Sequence, residues 1–479
     1  MRMVERIYID GAFVTPHGKE MFDLFDPARG EVIGQVRLAD AEDARRAIRA
    51  AKRALPSYAR TGKTERLEPL RSLHDAVLSR AADLEEATIL EYGAPLTRAR
   101  WATRYAAESF LNAAKTLEDY SFTRPVGGSE VVMEPVGVAG LITPWNANAG
   151  FICNKLAYAL AAGCTAVIKP SEMSALQTQI VTEALHAAGA AAGLLNIVTG
   201  RGEVVGAELT ASPDIAKISF TGSTVVGKAI MRAAADTVKR ISLELGGKSP
   251  SLILEDANLE AAVPMAIAAG FQNSGQACVA GTRILVPEGR LSDVLPLAKA
   301  AVAATKVGDL RDPATAIGPL VNARQYDRVQ RYIRVGIDAG ATLVAGGEGH
   351  PDGLGGYFVR PTLFANVTNE MTIAREEIFG PVLCILTYRD EDEAIAIAND
   401  TDYGLTSYVF TSDPTHARAI AARLQTGRVV INGAPHDPLA PFGGYKQSGF
   451  GREYGVFGLE AFLEAKAVLG VEVVHQHDG

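Results

Sequence analysis

The sequence predicts an α/β protein in which two doubly wound, mostly parallel sheets follow one another, and three observations carry that reading. The chain has 479 residues, which at the ~150 typical of one domain favours two to three domains over one. From about Asp40 to Tyr120 the apolar residues recur with helical spacing. After Pro125 short apolar runs bounded by Gly or Pro alternate with Ala-rich helical stretches, as expected of βαβ units.

Taken in order, Leu67, Leu70, Leu73, Val77, Leu78, Ala81 and Leu84 step mostly by three and four residues with charged residues between them, and so mark core-facing helix surfaces. Strands are expected at Val136 to Thr143, Thr165 to Lys169, Leu195 to Val198, Ala216 to Thr221 and Arg240 to Leu245. Helices are expected around 151–162, 174–190 and 224–235. A second series begins at Ser251, with helices near 259–273 and 290–304 and strands at Arg283 to Pro287 and near 382–388, 406–411 and 428–432. Gly346 to Gly356 reads as a surface loop, and Phe462 to Val474 as a strand with no neighbour in sequence.

Hydrophobic residues make up 48% and charged residues 21% of the chain, ordinary globular usage that excludes a disordered tail. The net charge is −8, so no basic excess is available to neutralise phosphates, and neither nucleic acid nor anionic membrane is expected as a partner. Four cysteines, at 153, 164, 278 and 384, have neither the density of a disulfide framework nor a CxxC metal spacing. The N-terminus lacks an uninterrupted apolar h-region, and the longest apolar run, Leu156 to Ile168, is too short to span a bilayer. A cytoplasmic protein with reduced thiols and no metal site is therefore expected.

Three Gly-rich segments compete for a phosphate-binding role. Gly200 to Gly206 and Gly449 to Gly455 each miss GxGxxG by one residue and read as turns. Phe220-Thr-Gly222-Ser-Thr-Val-Val-Gly227-Lys228-Ala229 follows a strand and opens a helix, where free backbone N–H groups favour an anion. It approaches a Walker A loop, but Ala229 stands where the Mg²⁺-binding hydroxyl belongs, which disfavours a nucleotide hydrolase. Lys169-Pro-Ser171-Glu172 places a cation and a carboxylate at a strand end. A lone cysteine is usually a buried small hydrophobe, and Cys153, Cys164 and Cys384 are read so. Cys278 stands apart because Glu244-Leu245-Gly-Gly-Lys248 and Thr143-Pro144-Trp145-Asn146 also lie at strand ends, where α/β sheets bind ligands.

Together with Gly275-Gln-Ala-Cys278, Glu376-Glu377-Ile-Phe379-Gly-Pro381 and Pro441-Phe442-Gly-Gly-Tyr-Lys-Gln-Ser-Gly449, these motifs form an ordered series that resembles the non-acylating, acid-forming aldehyde dehydrogenases. The resemblance covers essentially the whole chain, including the 34 residues between Glu244 and Cys278. It implies a Rossmann-like NAD-binding domain of residues 1–117 and 137–246, a catalytic domain of 247–447, and a bridging element of 118–136 and 461–479 that builds a homodimer or homotetramer.

The resemblance also implies the chemistry. Cys278 would attack the aldehyde as thiolate, and the side-chain amide of Asn146 with the Cys278 backbone N–H would hold the developing alkoxide. Hydride transfer to a nicotinamide would leave a thioester, and Glu244 would activate the water that releases the acid. Such a base disfavours acyl transfer to coenzyme A. Lys155 and Glu453 match positions proposed to relay protons to it. The cofactor residues implied are Thr143, Pro144, Trp145, Lys169, Ser171, Glu172, Gly222, Ser223, Gly227, Leu245, Glu377 and Phe379. Glu172 repels a 2′-phosphate, so NAD is expected ahead of NADP.

Positions matching the family's substrate pocket include Trp101, Phe151, Asn154, Gln272, His436 and Phe442, with Ala147, Ala277 and Val279. Their mix of amides and aromatics predicts a medium-sized aldehyde with a polar or aromatic end. No Arg or Lys stands among them, which argues against a dedicated carboxylate clamp. The rival reading, a structural protein recruited onto the same fold, is opposed by the intact Cys278, Glu244 and Asn146.

Overall fold

The computed structural model describes residues 2–471. Residues 472–479, the end of the predicted bridging element and of the strand expected to Val474, lie outside the described residues. Among the described residues no helix is long and apolar enough to cross a membrane.

Two large sheets organise the molecule. The first has eight strands, in the order Gly449–Phe450, Arg240–Glu244, Lys217–Thr221, Val138–Ile142, Thr165–Lys169, Leu195–Ile197, Ile7–Ile9 and Ala12–Val14. Its five central strands run parallel, and antiparallel strands close both edges. Period-two alternation explains the continuous apolar runs. On Thr165–Lys169 the side chains of Ala166 and Ile168 enter one core cluster and Val167 the other, so every residue is buried. The first cluster is completed by helix Asn148–Ala162, backed by Lys63–Ser79 and Leu96–Asp119, and the second by Ala44, Ala47, Ile48 and Ala51 of helix Ala41–Tyr58. That last helix starts where Asp40 accepts hydrogen bonds from the backbone N–H groups of Glu42 and Asp43, with Asp43 capping in return.

The second sheet has seven strands, in the order Thr342–Ala345, Thr362–Ala365, Val382–Tyr388, Arg283–Pro287, Pro250–Ile253, Thr406–Phe410 and Arg428–Ile431. All of its pairs are parallel except the first. A third, three-stranded antiparallel sheet joins Thr123–Val126, Ser129–Pro135 and Leu463–Val468. The strand near the C-terminus that had no neighbour in sequence thus pairs with 129–135 of its own chain, from Leu463 opposite Pro135 to Val468 opposite Glu130.

Several elements were not anticipated. A small sheet of Arg2–Val4, Glu31–Arg37 and Met21–Asp26 precedes the helical region. Helices Ala323–Asp338, Glu391–Asn399 and Pro414–Ala421 cover the second sheet. Gly449–Phe450, read as part of a turn, hydrogen bonds across Leu243 and Glu244 as the edge strand of the first sheet.

Candidate active site

The nucleophile segment begins where helix Leu259–Phe271 ends. Asn273, Ser274 and Gly275 then adopt three successive left-handed conformations, with φ of 54°, 59° and 70°. Such a turn is costly for the two non-glycine residues and persists only if its surroundings hold it. They do: Asn273 Nδ2 donates to the carbonyls of Asn146 (3.0 Å) and Gln276 (3.1 Å), and Ser274 Oγ accepts from Gly318 N–H at 2.9 Å. Gly275 lies against the Gly380 carbonyl group, where an added Cβ would come within 2.2 Å. Cys278 emerges from this turn into the cleft between the two large sheets.

Three other segments meet it there. Glu244 ends its strand with 3% of its surface exposed, and neither carboxylate oxygen has a hydrogen-bond partner. Burial, then the charge of Glu453, raise its carboxyl well above the usual carboxylate range. A buried carboxylate with both oxygens free is poised to take a proton from a water that enters beside it. Asn146, beyond strand Val138–Ile142, donates one Nδ2 hydrogen to the Gln276 carbonyl at 2.9 Å, which leaves the second free for an oxygen held beside Cys278. On the opposite wall, Glu377 Oε1 accepts from Gly247 N–H at 2.9 Å. Burial and the charges of Glu377 and Glu244 push the Cys278 thiol up to about 12, and burial pushes Glu377 to about 7. The Gly247 backbone approaches so closely that a Cβ there would lie 2.3 Å from the Cys278 carbonyl oxygen.

Near Glu244 lies a cluster of buried polar side chains. Lys155 Nζ pairs with Glu453 and donates to Ser219 Oγ at 2.9 Å, and the Asn154 amide donates to Glu453 Oε2 at 3.3 Å. Asn154, expected among the substrate contacts, is buried and donates to Glu453.

Apart from Glu377 and Phe379, the expected cofactor residues lie along the carboxyl ends of the first sheet. Lys169 Nζ donates to Glu172 Oε2 at 3.1 Å, and Ser171 Oγ accepts from Met173 N–H. Gly222 N–H donates to the Glu244 carbonyl at 3.0 Å. Ser223 caps helix Thr224–Ala234, and Gly227 leaves no room for a Cβ beside Leu245, 2.6 Å away. The Thr143 hydroxyl is buried without a partner at the end of its strand. Pro144 follows it, and the Trp145 ring stands edge-on to Phe379 at 5.5 Å. A helix N-terminus with an unhindered first turn, an orphan hydroxyl and a strand-end carboxylate suit a dinucleotide's phosphates and ribose.

Aromatic residues line the opposite entrance. Trp101 stacks on Tyr105 at 5.1 Å, Tyr105 reaches His436 at 6.3 Å, His436 meets Tyr454 at 5.3 Å, and Tyr454 packs on Phe442 at 5.7 Å. Phe151 is half-buried on helix Asn148–Ala162. Gln272 is held by the Ala269 carbonyl at 2.8 Å and the Tyr408 hydroxyl at 3.0 Å.

The expectation of a pocket without cations does not survive. The Arg98 guanidinium lies over the Trp101 ring at 4.1 Å, and that of Arg428 over Phe442 at 5.1 Å. Sequence reasoning missed these two with Tyr105 and Tyr408, which belong to no motif, and Tyr454, which lies in the Gly449 to Gly455 segment read as a turn. Helical spacing does place Arg98 and Tyr105 three and four residues either side of Trp101.

The model of the aldehyde dehydrogenase family matches residues 13–468. A 3-succinoylsemialdehyde-pyridine dehydrogenase from a Pseudomonas species is 47% identical, covering 98% of this chain and 100% of its own. Among solved structures, a mutant of aldehyde dehydrogenase C from Pseudomonas syringae in complex with NAD+ and octanal is 43% identical, with a TM-score of 0.96 over 99% of this chain and 98% of that one. The NAD+ complex of a Mycobacterium tuberculosis aldehyde dehydrogenase is 40% identical, with a TM-score of 0.95 over 98% and 99%. The chain therefore belongs to the aldehyde dehydrogenase family, enzymes that oxidise aldehydes.

Proposed function

We propose that this enzyme oxidises a medium-sized aldehyde with a polar or aromatic end to its carboxylic acid, using NAD+. The observation that carries the reading is the convergence of Cys278, Asn146 and Glu244 from three separate segments onto one cleft, with the carboxylate and one amide hydrogen unengaged. Cys278 forms the bond to the carbonyl carbon. The free Nδ2 hydrogen of Asn146 and the Cys278 backbone N–H stabilise the oxygen as it gains charge. Bound NAD+ supplies the hydride acceptor. Glu244 then removes a proton from the water that cleaves the thioester on Cys278, and the Lys155–Glu453 pair behind it offers that proton a way out.

Residues Lys169, Ser171, Glu172, Gly222, Ser223 and Gly227 would hold the dinucleotide, with Thr143, Pro144, Trp145, Leu245, Glu377 and Phe379 toward its nicotinamide end. Glu172 accepts from ribose hydroxyls and opposes a 2′-phosphate, so NAD+ is preferred. The NAD+ complexes of the Pseudomonas syringae and Mycobacterium tuberculosis relatives support that preference. The substrate reading is supported by the aromatic entrance and by the Pseudomonas relative, whose name describes a pyridine bearing a semialdehyde chain.

We further read residues 1–117 with 137–246 as the cofactor unit, 247–447 as the catalytic unit, and the three-stranded sheet as the contact that builds a dimer or tetramer. Val126 on that sheet is 55% exposed and Leu469, just beyond its last strand, 75% exposed, which supports an unmet partner surface. Four free thiols fit a reducing cytoplasm.

The test is NADH formation at 340 nm with NAD+ or NADP+ and a panel of aliphatic, aromatic and carboxylated aldehydes, for the wild type and Cys278→Ala. Activity with NAD+ that the variant loses while still binding NAD+ is expected. A folded wild type that binds NAD+ yet oxidises no aldehyde would overturn the reading in favour of a recruited structural role.

A further inference from the structure

Arg428 opens the edge strand Arg428–Ile431 of the second sheet, and its side chain lies among residues of the substrate entrance. Its guanidinium covers the Phe442 ring at 5.1 Å, and its charge reaches the Cys278 thiol, the Tyr408 hydroxyl and the His436 ring. Tyr408 is fixed from two sides, donating to the Val279 carbonyl at 2.8 Å and accepting from Gln272 at 3.0 Å, so the wall around Arg428 is rigid.

Arg428 is only partly engaged, through a side-chain hydrogen bond to the Tyr408 hydroxyl. Its Nε is buried with no hydrogen-bond partner, and among the described residues no carboxylate pairs with it. Asp437, the acidic residue next to His436, is exposed to solvent. Leaving a buried donor unpaired is expensive, and a guanidinium stacked on an aromatic face with its edge free is suited to gripping a planar oxygen acceptor. Other arginines in buried surroundings show the contrast. Arg283 is engaged by the Lys248, Ile397 and Ala398 carbonyls and by Asn369, and Arg66 by three oxygen atoms.

We propose that Arg428 is a specificity-determining residue of the substrate pocket: it donates to a carboxylate or ketone oxygen carried by the aldehyde at the end remote from its reacting carbon. The inference rests on the aldehyde-oxidising reading above and names its substrate class more narrowly. Aldehydes with an acceptor oxygen fill the empty hydrogen-bond position of Arg428, whereas a purely alkyl aldehyde of equal length leaves that donor unpaired. Phe442, beneath the guanidinium, offers its ring to whatever apolar chain joins the two ends.

The experiment compares three aldehydes of matched length, one alkyl, one carrying a ketone and one a terminal carboxylate, on wild type, Arg428→Met and Arg428→Lys. The readout is the ratio of kcat/KM for the acceptor-bearing aldehydes to that for the alkyl one. Because both values come from the same preparation, the ratio does not depend on the fraction of protein folded. For the wild type a ratio of about 10 or more is expected for at least one acceptor-bearing aldehyde, from the strength of a hydrogen bond to a charged donor. It should collapse toward 1 in Arg428→Met and be partly restored in Arg428→Lys. A wild-type ratio near 1, or a high ratio retained by Arg428→Met, would overturn the proposal while leaving aldehyde oxidation intact. Absence of NADH from all three aldehydes and all three proteins would instead count against the functional reading beneath it.

Discussion

On the reaction proposed above, replacing Glu244 with Gln separates acylation of Cys278 from hydrolysis. Gln keeps the shape of the side chain but cannot accept a proton, so acylation of Cys278 should proceed and hydrolysis should stall. Mixing Glu244→Gln with NAD+ and aldehyde should therefore give a burst of NADH of about one per active site, followed by a steady state about 10²- to 10⁴-fold slower than wild type. That range corresponds to about 2.7–5.4 kcal/mol added to the barrier of the second step. The same substitution makes a separate stability prediction. Burial lifts the Glu244 carboxyl above the usual carboxylate range, so the folded protein holds this proton more tightly than the unfolded chain does. That contribution is fully present below pH 4.5 and is lost as pH rises through the folded pKa. Since the wild type must bury a charge with no hydrogen-bond partner at high pH, Glu244→Gln should melt near the wild-type temperature at about pH 4 and above it at pH 8 to 9. Rapid-mixing absorbance at 340 nm reads the burst, and scanning fluorimetry across pH reads the melting temperatures. Steady-state turnover within threefold of wild type, or a slow enzyme without a burst, would refute the assignment of Glu244 as the deacylating base.

Three further substitutions test the surroundings. Asn146→Ala should lower kcat about 10²- to 10³-fold, or ~2.7–4 kcal/mol, with NAD+ affinity retained as measured by fluorescence titration, since it removes a donor to the alkoxide. Gly275→Ala puts a Cβ 2.2 Å from the Gly380 carbonyl group at a residue with φ of 70°, so it should cost about 1–3 kcal/mol or more in urea unfolding and slow Cys278 alkylation and turnover alike. Glu377→Gln removes the nearer source of negative charge holding the Cys278 thiol up near 12. The thiol pKa should then fall, and alkylation by iodoacetamide at pH 8 without cofactor should be faster than in the wild type; an unchanged rate would show that burial alone controls the thiol.

How much of this could be read from the sequence follows from where each residue gets its environment. Thr165–Lys169 and Arg283–Pro287 were legible to the residue because a parallel strand covered on both faces is a continuous apolar run ended by turn formers. Helix Ala323–Asp338 was not: it buries a narrow stripe of Val329, Tyr332, Ile333 and Gly336 and carries four arginines, a pattern close to that of a solvated segment. The N-terminal sheet was missed because Glu31–Arg37 is covered only on alternate residues and its partners are short or distant in sequence. Within the site, Cys278, Glu244 and Asn146 stood out because each lies in a motif, and the motifs follow one another in the order that resembles the aldehyde dehydrogenases. Arg98 and Arg428 did not, because their meaning comes from proximity to Cys278, which the meeting of a helix and a sheet edge creates. Asn154, a polar residue on helix Asn148–Ala162, donates to Glu453, a partner distant in sequence.

The edge strand at Gly449–Phe450 has a consequence for how the enzyme comes into being. Glu244 is held between Gly222 on one side and Gly449 on the other, with Ser448 accepting from Leu245 N–H at 3.0 Å. An added Cβ at Gly449 would lie 1.9 Å from the Leu243 carbonyl oxygen, so the late segment docks flush against the strand that ends in Glu244. The base is synthesised near the middle of the chain, but its strand remains an open edge until more than two hundred further residues have left the ribosome. A nascent or prematurely terminated chain can complete the parallel core of its first sheet and still lack a positioned base.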